Sequence, residues 1–144
     1  MANKDLVINS EGSLEQKTLA LLLCTAQEKS SQINKALKPL GISFLQTNIL
    51  HILDTIEGGK LTVNQIKNVM VDDSPNVSRS LNKLMEKGYI IKERTLEDQR
   101  IVNIVITDAG RKTHKLADEA LAFAFTIDLE ENDLKKLYDI LVKI

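Results

Sequence analysis

The sequence is poor in residues that end helices and in residues that stack on flat ligands. Among 144 residues it has two prolines, six glycines, three phenylalanines, two tyrosines and no tryptophan. Because proline and glycine interrupt helices, their scarcity favours long helices joined by few turns, and we predict a mainly α fold. The few aromatic rings leave planar aromatic ligands with few stacking partners. The length fits one domain, so we expect a single domain over residues 1–144.

Cysteine and long apolar runs are also scarce. The single cysteine, Cys24, excludes a disulfide within the chain and a cysteine pair that could bind a metal. The longest apolar run covers residues 19–24, which is far too short to span a membrane. Acidic residues precede that run, whereas a signal peptide begins with basic ones. We therefore expect a cytoplasmic protein with no membrane partner.

No excess of one charge sign marks the whole chain, whose net charge is −1. The charges are nevertheless unevenly distributed. Residues 74–116 carry nine Lys and Arg against five Asp and Glu, whereas residues 117–144 carry three against seven. A basic segment is a weak indication of a nucleic-acid partner. Two solvent-exposed faces of opposite charge, with no such function, would give the same distribution.

Apolar residues at helical spacing predict a first long helix over residues 14–38. One apolar stripe begins at Leu19, but Leu14, Leu21 and Cys24 fall on the opposite side. A single small domain has too little material to bury both sides of one helix. We therefore expect a second chain to cover part of this helix.

Helix-start signals divide the middle of the chain into three shorter helices. Capping boxes that begin at Ser43 and at Thr62 open the second and third helices. Ser74, as N-cap, and Pro75, at the first helical position, open the fourth helix, which ends near Gly88. The third and fourth helices therefore meet across a tight turn.

The rest of the chain is predicted as a β-hairpin followed by two helices. β-branched residues at 89–94 and 101–106 favour two strands around a polar tip. Thr107 is predicted to cap a fifth helix that extends to Ile127, and Asp128 to cap the last helix. The expected fold class is mainly α with a small β-hairpin wing, which together make a winged helix-turn-helix core.

The fourth helix presents polar side chains that suit the major groove of DNA. Val77, Leu81 and Leu84 share its apolar face, so the opposite face is predicted to be exposed. Arginine can bridge the O6 and N7 atoms of guanine, and asparagine can pair with N6 and N7 of adenine. Asn76 and Arg79 are the base-reading candidates, since residues near the start of such a helix reach base edges. The full predicted major-groove set is Ser74, Asn76, Ser78, Arg79, Asn82 and Lys83.

Such a polar face also occurs on helices that bind nothing, so the hairpin matters for the interpretation. Arg94 lies at the base of its tip and Arg100 at the far end, which suits insertion into a minor groove. Asp98 is expected to hold the Arg100 guanidinium by a bidentate pair and so to orient it. We predict that Arg94, Asp98 and Arg100 form a DNA-binding wing.

Four segments of this core carry a family pattern. They read VSRSLNKL at 77–84, EKGYI at 86–90, EDQR at 97–100 and ITDAGR at 106–111. In these segments the sequence resembles the MarR family of bacterial transcriptional regulators. The order of six helices, with the hairpin after the fourth, extends the resemblance over the whole chain.

The resemblance implies a homodimer that binds double-stranded DNA. Residues 14–40 and 108–144 would be the dimerisation helices, and residues 43–107 a winged helix-turn-helix lobe. Each lobe would place its fourth helix in the major groove of a palindromic operator, while Arg100 enters the minor groove. The function implied is a sequence-specific transcriptional regulator, a repressor modulated by a small-molecule effector.

Other functions have weaker support. No glycine-rich phosphate loop, carboxylate pair or Ser-His-Asp set stands out, so we expect neither an enzyme nor a cofactor. His51 and His114 are far apart in the chain and with Cys24 could at most form a scattered metal set, so we expect no metal. Two alternatives stay open: a winged-helix module that binds protein, and, by the resemblance, a regulator that senses oxidants through Cys24.

Overall fold

A computed structural model describes residues 4–70 and 76–144 of the chain. This part is mainly helical with one small antiparallel sheet, as predicted. The elements are α1 (Lys4–Ile8), α2 (Leu14–Leu37), α3 (Phe44–Thr55), β1 (Lys60–Thr62), α4 (Val63–Met70), α5 (Asn76–Glu86), β2 (Ile90–Arg94), β3 (Val102–Ile106), α6 (Asp108–Leu121) and α7 (Glu131–Leu141). Short 3-10 turns follow α2 and α3. Within these two stretches no helix combines the length and apolar character that crossing a membrane requires.

The hydrophobic core lies between the helix-turn-helix, the sheet and α6. Its fully buried side chains include Leu50 and Leu53 of α3, Leu84 of α5, Ile104 of β3 and Leu121 of α6. Each of these elements therefore contributes one apolar face to a shared interior, which fixes how α5 and the sheet lie relative to α6.

Helix α2 has the predicted length, but only one end of it is buried. Ser13 caps its start, and near its end Ile33 and Leu37 belong to the core. In the first half, Leu14 and Leu23 stay 83% and 62% exposed. That half presents apolar surface to solvent, and it is the surface for which the sequence predicts a partner chain.

The winged lobe, residues 43–107, has the two capping boxes that the sequence predicted. At α3, the Ser43 N–H donates to the Gln46 side chain at 2.9 Å, and the Gln46 N–H donates to Ser43 Oγ at 3.1 Å. Thr62 and Gln65 form the same reciprocal pair ahead of α4, at 2.9 and 3.2 Å. Both capping boxes are confirmed.

Helix α5 ends in a turn that directs the chain into the sheet. Gly88 has a φ of +74°, a left-handed conformation that a side chain would strain. Its N–H donates to the Met85 carbonyl at 2.9 Å, and the Tyr89 N–H donates to the Leu84 carbonyl at 3.0 Å. These two bonds form a Schellman motif, so β2 begins directly where α5 stops.

The sheet has a third strand that the sequence analysis did not predict. Strand β3 lies in the centre, with β1 on one side and β2 on the other, and Leu61 of β1 pairs with Ile104 of β3. β1 has three residues, which is too few to show an alternating pattern. Because β1 lies between α3 and α4, it ties the hairpin to the helix-turn-helix.

Helix α6 is shorter than predicted. It ends at Leu121, whereas the apolar pattern continues to Ile127. Beyond α6, Phe125 packs against Phe44 of α3, with their ring centroids 6.0 Å apart. The contact with α3 therefore overrides the periodicity of apolar residues, which would allow α6 to continue.

The predicted start of α7 is wrong by a few residues. α7 begins at Glu131 with Glu130 as N-cap, and among the described residues no side chain caps it. Asp128 therefore does not form the expected capping box. The reason is a tight turn just before the helix, in which the Leu129 N–H donates to the Ile127 carbonyl at 2.9 Å.

Gly110 lies where α6 packs closely on the chain between α5 and β2, and it generates our first prediction. A Cβ at this position would lie 2.8 Å from Ile106 Cγ1 and far inside contact distance of the Tyr89 carbonyl oxygen. Since the Tyr89 carbonyl is backbone, it cannot rotate away. We predict that Gly110→Ala lowers the free energy of unfolding by about 1 to 3 kcal/mol, as overpacking does. Urea denaturation measures this change.

The matched control is Ala109→Ser, on the exposed side of the same helical turn. It should change the free energy of unfolding by less than about 0.5 kcal/mol. Alanine favours a helix over glycine by about 1 kcal/mol, so a Gly110→Ala protein more stable than wild type would show that the close approach has no cost.

Candidate nucleic-acid interface

Helix α5 has the two faces that its sequence predicts. Val77, Leu81 and Leu84 are buried in the core. The predicted major-groove residues that the structure describes are all exposed: Asn76, Ser78, Arg79, Asn82 and Lys83. Ser74 and Pro75, the predicted start of this helix, lie outside the described residues. A polar helical surface therefore stands at the position expected for a reading helix.

The tip of the wing, residues 95–101, is a hydrogen-bonded turn. The Asp98 N–H donates to Thr95 Oγ1 at 3.2 Å, and the Ile101 N–H donates to the Asp98 carbonyl at 3.0 Å. The side chain of Arg100 is exposed on this turn. The tip thus has a defined backbone shape and carries a basic side chain.

Asp98 supports Arg100 in a different way from the expected one. Its Oδ1 accepts a hydrogen bond from the backbone N–H of Arg100 at 2.9 Å, rather than from the guanidinium. An aspartate that accepts from the N–H two residues later forms an Asx turn, which aspartate favours strongly. Asp98 therefore shapes the backbone at Arg100 and leaves the guanidinium of Arg100 outside the pair.

Arg94 also has a structural role in the wing. Its Nη1 donates to the Gln99 carbonyl at 3.0 Å, so the guanidinium bridges the end of β2 to the far side of the tip. The sequence analysis placed Arg94 among the DNA-binding residues. The structure shows a side chain that braces the turn from which Arg100 projects.

Thr107 joins the wing to helices α5 and α6. Its N–H donates to the Tyr89 carbonyl at 3.0 Å, and its hydroxyl donates to the Gly88 carbonyl at 2.7 Å. The same hydroxyl accepts from the Gly110 N–H at 3.1 Å, which confirms Thr107 as the cap of α6. The exposed face of α5 and the tip of the wing therefore belong to one connected unit.

A basic cleft adjoins α5. It has a volume of about 730 Å³ and is lined by lysines from the end of α2 and from α5 and the turn after it. These lysines are Lys35, Lys38, Lys83 and Lys87. Lys87 Nζ also donates to the Gly41 carbonyl at 2.5 Å. Lys83, assigned to the major groove by the sequence, therefore also borders this cleft.

The two histidines, expected to be scattered, meet where α3 packs on α6. His51 Nδ1 and His114 Nε2 are 3.0 Å apart. His114 Nδ1 contacts Asp54 Oδ2 at 2.7 Å, and the other oxygen of Asp54 accepts from Arg111. Asp118 Oδ2 lies 3.3 Å from His114 Nε2. The expectation of at most a scattered set with Cys24 is therefore wrong for the two histidines, which lie side by side in a cluster that Cys24 does not join.

The pKa of the Asp54 carboxyl is lowered from its ordinary value. The hydrogen bond with His114 is the largest cause, and the hydrogen bond and charge of Arg111 act in the same direction against partial burial. A carboxylate can only accept, so Nδ1 of His114 donates this hydrogen bond, which holds the ring with Nε2 toward His51. The spacing of His114 and Asp118, four residues apart on one helix, was visible in the sequence. Nothing there indicated that His51 joins them.

A large apolar surface remains uncovered at the two ends of the chain. Helix α7 buries none of its residues against the described parts of the chain. Large apolar side chains are exposed on α2, on the segment between α6 and α7, and on α7 and the residues after it. They include Leu14, Leu19, Leu23, Phe123, Phe125, Tyr138, Ile140 and Val142. Cys24 lies half-buried on α2.

Comparison with known proteins identifies the family. The family model described as transcriptional regulator SarA/Rot matches residues 31–116. The chain belongs to the SarA/Rot family. The matched residues include α5 and the whole wing. SarA/Rot proteins are transcriptional regulators rather than enzymes.

A curated relative supports this family. The SarA/Rot chain is 34% identical over 74 residues to the HTH-type transcriptional regulator SarU of Staphylococcus aureus. The alignment covers 51% of the chain but only 30% of SarU, so the chain spans less than a third of that relative's length.

Solved structures show the same fold. AbsC, a MarR family transcriptional regulator from Streptomyces coelicolor, is similar with a TM-score of 0.78 at 20% identity, over 92% of this SarA/Rot chain and 93% of AbsC. A mutant of MarR from E. coli, complexed with operator DNA, has a TM-score of 0.76 at 22% identity, over 92% and 98% of the two chains. The MarR-type fold implied by the sequence resemblance is confirmed.

Asp54 generates the second prediction. In Asp54→Ala, the largely buried Nδ1 of His114 and the guanidinium of Arg111 lose their shared acceptor. A buried donor left without a partner costs about 1 to 3 kcal/mol, and we expect a loss of this size in the free energy of unfolding at pH 7. Urea denaturation of both proteins across a pH series measures it.

The pH dependence follows from the lowered pKa of Asp54. The carboxylate contributes its stabilisation above the pKa of an unfolded aspartate, about 4. That contribution is lost as the pH falls through the lower folded pKa. The difference between wild type and Asp54→Ala should therefore shrink in strong acid. Glu119→Ala, at an exposed position on α6, should show no such difference. If wild type and Asp54→Ala differed in free energy of unfolding by the same amount at every pH, the charge of the Asp54 carboxylate would be excluded as the cause of the difference.

Proposed function

We propose that this SarA/Rot protein is a sequence-specific regulator that binds double-stranded DNA as a homodimer on a palindromic operator. The observation that carries the proposal is the exposed polar face of α5, joined through Thr107 to an ordered wing with an arginine at its tip. A helix and a wing in this arrangement suit the major groove and the adjoining minor groove. The proposal includes a cytoplasmic location, because bacterial DNA lies in the cytoplasm.

The proposed contacts divide into base reading, phosphate binding and minor-groove insertion. Asn76 and Arg79 read base edges near the start of α5, because their side chains can form bidentate hydrogen bonds with adenine and guanine. Arg100 enters the minor groove, with Asp98 and Arg94 shaping the tip that carries it. The remaining candidates contact the phosphate backbone or nearby base edges, and they are Ser74, Ser78, Asn82 and Lys83.

The uncovered apolar surface supports homodimerisation. Helix α7 and the first half of α2 present large apolar side chains to water, and an amphipathic helix needs an apolar neighbour to be stable. In a homodimer the same two segments of the partner can cover them. A two-fold dimer presents two copies of α5, which a palindromic operator matches, with half-sites about 34 Å apart.

The basic cleft supports control by a small ligand. Lys35 and Lys38 come from the end of α2, and Lys83 and Lys87 from α5 and the turn after it. A ligand in the cleft therefore contacts both the end of α2 and the end of α5. Four ammonium groups favour an anionic effector. Binding of such an effector beside Lys83 would compete with DNA phosphates, which is the behaviour of a repressor released by its ligand.

Arg79 and Arg100 provide the test of DNA binding. An operator is first selected from random duplex DNA with the purified protein. Arg79→Ala should relax base preference at one position, with a cost of about 1 to 3 kcal/mol there. Arg100→Ala should weaken binding to most sequences, flatten the dependence on salt and remove any preference for narrow A·T flanks. Affinities of both variants are measured by fluorescence anisotropy over a salt series.

Two further variants sharpen this comparison. Lys112→Ala removes one positive charge at an exposed position of α6 outside the proposed interface, and it should leave the affinity nearly unchanged. Asp98→Ala should resemble a weaker Arg100→Ala, because the tip loses the acceptor for the Arg100 N–H. Equal affinity of wild type and Arg100→Ala at low salt would remove the wing from the mechanism and favour a module that binds protein.

The homodimer generates a separate prediction. Sedimentation at low micromolar concentration should show a dimer of the 16.1 kDa chain. Its melting temperature should rise with protein concentration, because association stabilises the folded state by mass action. Ile140→Glu places a charge on the exposed apolar part of α7 and should shift the protein toward monomer. A wild-type monomer with native helicity at this concentration would contradict the proposal.

A further inference from the structure

Three side chains at the contact of α3 with α6 have the spacing of ligands around one metal ion. His51 Nδ1, His114 Nε2 and a carboxylate oxygen of Asp118 all lie within 4.8 Å of one another. Two of the separations are 3.0 and 3.3 Å. Ligand atoms bound tetrahedrally to Zn²⁺ at about 2.0 to 2.2 Å are about 3.3 to 3.6 Å apart. The donor atoms are therefore close to the spacing that a tetrahedral ion requires.

Asp54 provides the support that a metal-binding histidine ordinarily has. Its Oδ2 contacts His114 Nδ1 at 2.7 Å, which orients the ring and directs the Nε2 lone pair toward His51 and Asp118. Arg111 holds the other oxygen of Asp54. The cluster thus has three candidate ligands and a second carboxylate that fixes the central ligand.

Access and charge also suit a metal ion. His114 is buried, whereas His51 and Asp118 are exposed, so an ion can reach the three donors from solvent. Rotation of the Asp118 side chain can bring its oxygen closer to His51. The ligands carry one negative charge at Asp118, while the charge of Asp54 is balanced by Arg111. A divalent cation would take the place of the hydrogen bond between His51 and His114 and gain Asp118 as an anionic ligand, while the ion pair of Asp54 with Arg111 stays in place.

We propose that His51, His114 and Asp118 bind one Zn²⁺ or a similar transition-metal ion, with water as the fourth ligand. Two imidazoles and one carboxylate favour such ions, whereas Mg²⁺ and Ca²⁺ take oxygen ligands. The bound ion joins α3 of the winged lobe to α6, the helix that leads to the C-terminal segment. It therefore acts as a clamp between these two parts.

The experiment is a Zn²⁺ titration of the tag-free protein with a chromogenic chelator as competitor. Because the chain has only two histidines, nuclear magnetic resonance of the imidazole rings reports on His51 and His114 alone. We expect one ion per chain and a shift of both rings at stoichiometric Zn²⁺. The Co²⁺-loaded protein should show the visible absorption of a tetrahedral site.

The variants His51→Gln and Asp118→Asn remove one ligand each from exposed positions, so the fold should be kept. Each should weaken Zn²⁺ binding at least tenfold, the scale of loss seen even for supporting residues around metal ligands. Cys24→Ser and Glu119→Gln are the matched controls, and both should bind as wild type. Unchanged histidine rings at stoichiometric Zn²⁺, or wild-type affinity in His51→Gln, would show that the cluster is only a hydrogen-bonded network.

A second measurement tests whether the bound ion changes the affinity for DNA, and it rests on the proposed DNA binding. Affinity for the selected operator is compared with and without Zn²⁺ in wild type and in Asp118→Asn. We expect a change of at least fivefold in wild type, typical of coupled sites, and none in the variant. Since the titration contains no DNA, its failure overturns the metal site. Metal binding with unchanged operator affinity overturns only the coupling.

Discussion

The geometry of the proposed DNA-binding surface depends on the junction at Thr107. Its backbone N–H and its hydroxyl hold the carbonyls of Tyr89 and Gly88, while the hydroxyl also accepts from Gly110. One residue thus ends β3, fixes the turn after α5 and begins α6. Because all three partners are backbone groups, none of these elements can shift in register without leaving a polar group unpaired. The distance between α5 and the wing follows from this constraint.

The elements predicted well from the sequence are those specified by neighbouring residues. Capping boxes at Ser43 and Thr62, and the cap at Thr107, act over three residues, so the sequence alone indicates where these helices begin. The polar and apolar faces of α5 follow from helical spacing in the same way. Asp128 shows the limit of this reasoning, since a backbone turn just before α7 moved the helix start away from a residue with suitable chemistry.

Features formed by distant residues were not predictable by such rules. Strand β1 exists because β3 provides a partner for three residues that show no pattern of their own. His51 and His114 are 63 residues apart, and only the packing of α3 on α6 brings them together. Within the wing, the sequence indicated the residue types correctly but not their bonds, because Asp98 and Arg94 bind backbone groups that are close only in the folded turn.

In the proposed homodimer, the uncovered apolar surface of α2 and α7 would make the amount of protein in the cell part of its function. If two chains must meet to cover this surface, the concentration of assembled regulator at low expression rises with the square of the chain concentration. A small change in synthesis then becomes a larger change in promoter occupancy. Unpaired chains would expose apolar helices to proteases, which would remove them preferentially. Both effects would give the proposed regulator a threshold that needs no effector.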